Sequence, residues 1–125
     1  MTHQLLFVDD DAAIRFAVER FFRTRGYAVH TAADVAGATA RMGADHFDVL
    51  IVDLRLTGTH GTEGLDLISL MHSISPATRT ILLTAYQFPG LDLTAQEQGV
   101  DIVLQKPQPL ARLAELVGEL LSDRQ

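Results

Sequence analysis

The chain has no cysteine, which excludes disulfides and thiolate metal sites and fits a reducing compartment. No apolar run approaches the roughly 20 residues of a membrane-spanning helix. Positive charge is scarce: 10 Lys and Arg stand against 16 Asp and Glu, a formal net charge of −6. A nucleic-acid surface needs a basic patch, and this balance argues against one here. Met1-Thr2-His3-Gln4 passes at once into a strand run, leaving no room for a signal peptide. No repeat, low-complexity tract, linker, output module or DNA-binding module is legible within the 125 residues. The expectation is a cytoplasmic protein that binds neither nucleic acid nor membrane through this domain.

What is present reads as one domain over residues 1–125. Hydrophobic residues make up 47% and charged residues 21%, the balance of a folded globular chain. A chain of this length buries roughly two-thirds of its unfolded surface without staples. Strand and helix signals alternate five times. The strand runs are short and continuously apolar, as in a parallel sheet covered on both faces. The first, after Gln4, is Leu5-Leu6-Phe7-Val8. A helix follows from near Asp11, with Ile14, Ala17, Val18, Phe21 and Phe22 at helical spacing, and stops at Gly26. Tyr27 to Thr31 is the expected second strand, and Asp34 to Met42 a capped second helix. Phe47 to Val52 and Thr80 to Leu83 are strands three and four, separated by a short helix over Leu65 to Met71. A polar fourth helix, Leu91 to Gln98, precedes strand five, Val100 to Leu104; the last helix carries a leucine stripe from Leu110 to Leu121. This (βα)5 pattern predicts an α/β fold: a doubly wound, flavodoxin-like parallel sheet in the order 2-1-3-4-5.

Polar residues stand where these strands end. Asp9, Asp10 and Asp11 follow the first, Asp53 the third, Thr84 the fourth and Lys106 the fifth. In such a sheet, ligands bind in the crevice at the strands' carboxyl ends. Convergent carboxylates repel and want a counter-ion; oxygen ligands with phosphate nearby suit Mg²⁺. Asp11 reads more simply as the helix cap. Taken alone, Asp53 reads equally as a turn residue or as a nucleophile able to form an aspartyl phosphate. Thr84 and Lys106 alone read as turn residues, although an ammonium can also hold a phosphoryl oxygen. The Lys106-Pro107 bond is a candidate cis peptide.

Together, Phe7-Val8-Asp9-Asp10-Asp11, Ile51-Val52-Asp53-Leu54, Leu83-Thr84-Ala85 and Gln105-Lys106-Pro107 resemble the receiver domain of two-component response regulators, in order and in spacing, over essentially the whole chain. The resemblance implies a phosphorelay signalling module that is not a turnover enzyme beyond its own phosphorylation and dephosphorylation. It implies that Asp9, Asp10, Asp53 and the backbone carbonyl of Arg55 hold Mg²⁺. Asp53 would accept phosphate from a histidine kinase or a phosphotransfer protein. Lys106 would pair with the phosphoryl group, and Thr84 would hydrogen-bond it and begin a switch around strands four and five. Arg55 and Tyr86, two residues beyond Asp53 and Thr84, would tune dephosphorylation. The output domain or effector is not specified, and homodimerisation is left open.

Departures from the family pattern carry expectations of their own. Val103 stands where receivers usually carry a switching Tyr or Phe, so the switch would use backbone shifts, or Tyr86 or Phe88. The loop over residues 54–64 is about three residues longer than usual, with Thr57 in place of a common Pro and His60 within it. Gln108 follows Lys106-Pro107 where an apolar residue is usual, which would loosen the start of the last helix. The bulk at Arg55 and Tyr86 would shield the aspartyl phosphate and slow its decay. Two other readings stand beside the receiver. One is a phosphate-independent receiver-like interaction module. The other is a haloacid-dehalogenase-like phosphatase, with Asp9 as nucleophile and Asp11 as acid-base.

Overall fold

The computed structural model describes residues 2–56, 61–85 and 87–122. The elements alternate along the chain: β1 (Gln4–Val8), α1 (Ala12–Thr24), β2 (Ala28–Ala32), α2 (Val35–Ala44), β3 (Val49–Asp53), α3 (Glu63–Ile74), β4 (Arg79–Thr84), α4 (Leu91–Glu97), β5 (Ile102–Gln105) and α5 (Leu110–Ser122). All strand pairs are parallel, and the order is β2-β1-β3-β4-β5. The predicted architecture and strand order therefore stand.

Strand alternation divides the core into two layers. Leu6, Val8, Leu50, Val52 and Leu82 point to one face, where α2, α3 and α4 contribute Ala38, Met42, Leu65, Ile68, Met71 and Leu91. Leu5, Phe7, Val49, Ile51, Ile81 and Leu83 point to the other, against Val18 and Phe22 of α1 and Leu113 and Val117 of α5. Both faces are covered, which is why Leu5 to Val8 of β1 and Val49 to Val52 of β3 are apolar without a break. Each such side chain, fully buried, contributes about 1.5–3 kcal/mol. Among the described residues no helix is long and apolar enough to cross a membrane.

Several boundaries differ from the sequence expectation, each for a local reason. Tyr27 lies outside β2: its N–H donates to the Phe22 carbonyl at 3.1 Å, and its ring meets Phe22 edge-on at 5.4 Å. Phe47 precedes β3, with its carbonyl taken by the Thr78 hydroxyl at 2.7 Å. Helix α3 runs longer at both ends than Leu65 to Met71 and stops at Ser75, before Pro76. β5 starts at Ile102 because Val100 donates back to Ala95 in α4 at 2.9 Å, and the Asp101 carboxylate accepts the Thr80 N–H at 2.8 Å. Helix α1 begins as predicted: Asp11 caps it, with Oδ1 accepting from Ala13 at 2.9 Å and Ile14 at 3.2 Å.

Candidate functional site

The carboxyl edge of the sheet gathers the predicted polar residues. Asp9 leaves β1 while its N–H still donates to Ala32 of β2 at 3.1 Å. Its carboxylate Oδ1 turns back to accept the Asp11 N–H at 2.9 Å. Asp53 closes β3, and the next residue, Leu54, donates to the Leu83 carbonyl at 2.7 Å, extending the ladder past the strand. Thr84 closes β4, and its carbonyl accepts the Lys106 N–H at 2.8 Å. The Lys106-Pro107 bond is cis, as the sequence suggested.

From these anchor points the side chains converge. The Lys106 ammonium donates to Asp9 Oδ2 at 3.0 Å and to Asp53 Oδ2 at 3.1 Å. Carboxylate oxygens of Asp9, Asp10 and Asp53 lie within 4.8 Å of one another. Exposure grades across the group: Asp9 is 0% exposed, Asp53 8%, and Asp10 is open to solvent. Asp9 thus anchors the floor, while Asp53 is reachable from outside. Thr84 is buried beside them at the strand end.

The electrostatics follow from three carboxylates facing one ammonium. Burial pushes the Asp53 pKa above its ordinary value; Lys106 pulls it back only in part, and the Asp9 charge adds to the rise. Burial also acts to lower the Lys106 pKa, but hydrogen bonds and charge from Asp9 and Asp53 outweigh it and hold the pKa up. The two shifts differ in origin: Lys106 gains from two carboxylates, whereas Asp53 is raised chiefly by burial and shares its one lysine with Asp9. The cluster remains short of positive charge, and its donors are hard oxygens. A divalent oxygen-seeking cation fits that set.

The Arg55 N–H donates to Asp53 Oδ1 at 3.4 Å, so the chain turns beside the Asp53 carboxylate. Thr57, His60 and Tyr86 lie outside the described residues. Phe88 is 44% exposed at the turn before α4. Val103 pairs with Leu82 and packs against the α4-side core, next to an open cleft of about 440 Å³ lined also by Asp92, Ala95 and Gln96. The Gln108 amide donates to the Gln105 carbonyl at 2.8 Å, and α5 starts two residues later.

Two residues that the sequence reading passed over belong to the site's support. The Arg15 guanidinium donates to the Asp9 carbonyl at 2.7 Å. An arginine one turn inside a helix that opens on an acid cluster was the available signal. Gly64 packs on the Asp53 backbone. That contact is between main chains, and no side-chain pattern announces it.

Comparison with known proteins agrees with this geometry. The family model described as response regulator receiver domain matches residues 5–118. The response regulator protein PilR of Pseudomonas aeruginosa is 31% identical over 116 residues, covering 93% of this chain and 25% of PilR. The chain spans about a quarter to a half of the length of the curated relatives it matches. A CheY-like receiver domain from Methanospirillum hungatei superimposes with a TM-score of 0.91 at 25% identity, covering 99% of this chain and 97% of that one. A response regulator from Burkholderia pseudomallei, solved with a phosphorylated aspartic acid, a calcium ion and citrate, matches with a TM-score of 0.82 at 27% identity. It is covered over 72% of its length, and this chain over 97%. The phosphatase reading of Asp9 gives way to these matches and to the burial of that carboxylate. The chain belongs to the response regulator receiver domain family, a signalling module rather than a turnover enzyme, with its acidic pocket formed by Asp9, Asp10 and Asp53.

Proposed function

We propose that Asp53 accepts a phosphoryl group from a histidine kinase or a phosphotransfer protein in a Mg²⁺-dependent reaction. The observation that carries this reading is the Lys106 ammonium bridging Asp9 and Asp53 at 3.0 and 3.1 Å, with Asp10 completing the acidic set. Asp53 is the acceptor rather than Asp9 because it keeps some solvent access, whereas Asp9 is fully buried. An Asp53 oxygen attacks phosphorus, the donor's bond to phosphorus breaks, and the donor leaves with the bonding pair. Lys106 then turns from a bridge between carboxylates into a contact for a phosphoryl oxygen. The Thr84 hydroxyl donates to a second one.

Held by Asp9, Asp10, Asp53 and the Arg55 carbonyl, Mg²⁺ would offset the charge of the transferred group. The new phosphoryl group brings about −1.5 to −2 charges and three acceptor oxygens to the strand ends. The response runs through Thr84, Lys106 and β5 to an output domain or effector, in the cytoplasm. The bulk of Arg55 and Tyr86 slows water attack on the aspartyl phosphate.

The test is intact mass after incubation with Mg²⁺ and a small acyl-phosphate donor, with a histidine kinase tried alongside. One phosphoryl adduct that needs Mg²⁺ and is absent in Asp53→Asn is the expected result. An adduct that survives the substitution moves the acceptor elsewhere, to Asp9 first. No adduct from either donor on a folded sample favours a phosphate-independent interaction module.

A further inference from the structure

Gly64, the second residue of α3, has no room for a side chain. A Cβ there would lie 2.3 Å from the Asp53 carbonyl oxygen, 2.9 Å from its carbonyl carbon and 2.8 Å from the Leu54 Cα. All three neighbours are backbone atoms, so no rotamer change relieves the contact. Either the end of β3 or the start of α3 would have to move. The same residue donates its N–H to the Leu54 carbonyl at 2.9 Å, while the Leu54 N–H donates to Leu83 at 2.7 Å. The peptides after Asp53 are thus gripped from β4 on one side and from α3 on the other. Gly61, at φ +79, lies against the Arg55 side chain: a Cβ there would be 3.1 Å from Arg55 Nε.

We propose that Gly64 is a positioning residue for the Asp53 site. Its bare backbone lets α3 clasp the chain between Asp53 and Arg55, and so fixes where the Asp53 carboxylate and the Arg55 carbonyl stand. The proposal rests on Asp53 being the acceptor. Its physical basis is that groups supporting a metal or reacting centre act through small displacements. A shift of about 1 Å costs roughly 100-fold in rate, and lost support for metal ligands costs about 10–100-fold in affinity.

The test compares Gly64→Ala with Gly118→Ala, an exposed α5 position where a Cβ meets nothing within 4 Å. Both are assayed well below their melting temperatures, for Mg²⁺ affinity and for the rate of adduct formation at saturating donor and Mg²⁺. Gly64→Ala is expected to keep its helix content, bind Mg²⁺ at least about 10-fold more weakly and react about 10–100-fold more slowly; Gly118→Ala should match the native chain. A Gly64→Ala protein that melts earlier but keeps native Mg²⁺ affinity and rate has lost structural support only, and overturns the proposal. Should that variant not fold, the native protein decides by amide NMR during a Mg²⁺ titration. The Gly64 resonance should move along the same binding curve as Leu54 and Arg55, and a stationary Gly64 overturns the proposal. A native chain that binds Mg²⁺ but is never modified at Asp53 contradicts the function, and leaves the positioning of the metal site to be decided by affinity alone.

Discussion

The backbone N–H of Lys106 donates to the carbonyl of Thr84 at 2.8 Å. Two donor side chains of the site therefore ride on main chains that are tied together where β4 and β5 end. On the proposed function, a pull on Thr84 would reach Lys106 through this bond without any rotating ring, which suits a chain with Val103 in strand five. Thr84→Val keeps the shape and this backbone bond and removes only the hydroxyl, at about 1 kcal/mol of stability. Phosphorylation of Asp53 should proceed in this variant. The amide shifts that phosphorylation causes at Gln105 and Lys106 should shrink, as read by NMR. Unchanged shifts would mean that the hydroxyl has no part in the response.

Lys106→Met should separate metal binding from chemistry. The lysine is the resident cation between Asp9 and Asp53, and Mg²⁺ has to enter its field. Removing it should destabilise the metal-free protein by about 1–3 kcal/mol, because buried Asp9 loses a charged partner. The same loss should tighten Mg²⁺ binding, by about 10-fold on a Coulomb argument near a surface. Phosphoryl transfer should nevertheless slow by on the order of 100-fold, since a donor to the transferred oxygens is gone. Calorimetric titration and the mass assay read the two effects independently. Weaker Mg²⁺ binding would show that the ammonium organises the carboxylates more than it competes for them.

The fold was legible because a sheet covered on both faces demands unbroken apolar strands, and Leu5 to Val8 and Val49 to Val52 supply them. The site was legible because each of those runs ends in a polar residue with no place in a core. The sequence could not distinguish Asp9 from Asp10, since adjacent residues leaving a strand point opposite ways and only packing tells which is buried. Nor could it find Gly64, whose contacts are with the backbone of Asp53 and Leu54. Boundaries slipped where an aromatic residue such as Tyr27 or Phe47 had the composition of a strand but served to close a turn.

The raised pKa of Asp53 has a consequence for stability against pH. Burial makes ionisation harder in the fold than in the unfolded chain, so the charge costs stability. That cost sets in as pH rises through the unfolded value near 4 and is complete above the folded pKa. Lys106 does not titrate in this window. Its raised pKa means that its stabilising contribution is complete below about 10.5 and is lost only as pH rises through the folded value. Calorimetry in chelator should therefore give Asp53→Asn a higher Tm than the native protein at pH 7, with the difference closing below about pH 4. A lower Tm at pH 7 would mean that the pair with Lys106 is worth more than the burial of Asp53.

Val103 allows a test of whether packing or switching chose a small residue in β5. It pairs with Leu82 and borders the cleft of about 440 Å³ between β5 and α4. A larger side chain forced into a filled core costs about 1–3 kcal/mol. At this position the ring of Val103→Tyr would enter open space, and its hydroxyl would reach water, Asp92 or Gln96 rather than remain buried and unsatisfied. The expected loss is below about 1 kcal/mol, a fall in Tm of at most about 4–5 °C for a domain of this size. Asp53 should be phosphorylated at the native rate. A larger loss would show that the packing of β5 against α4 demands a small residue. A stable, fully reactive variant would leave packing with no claim on the valine.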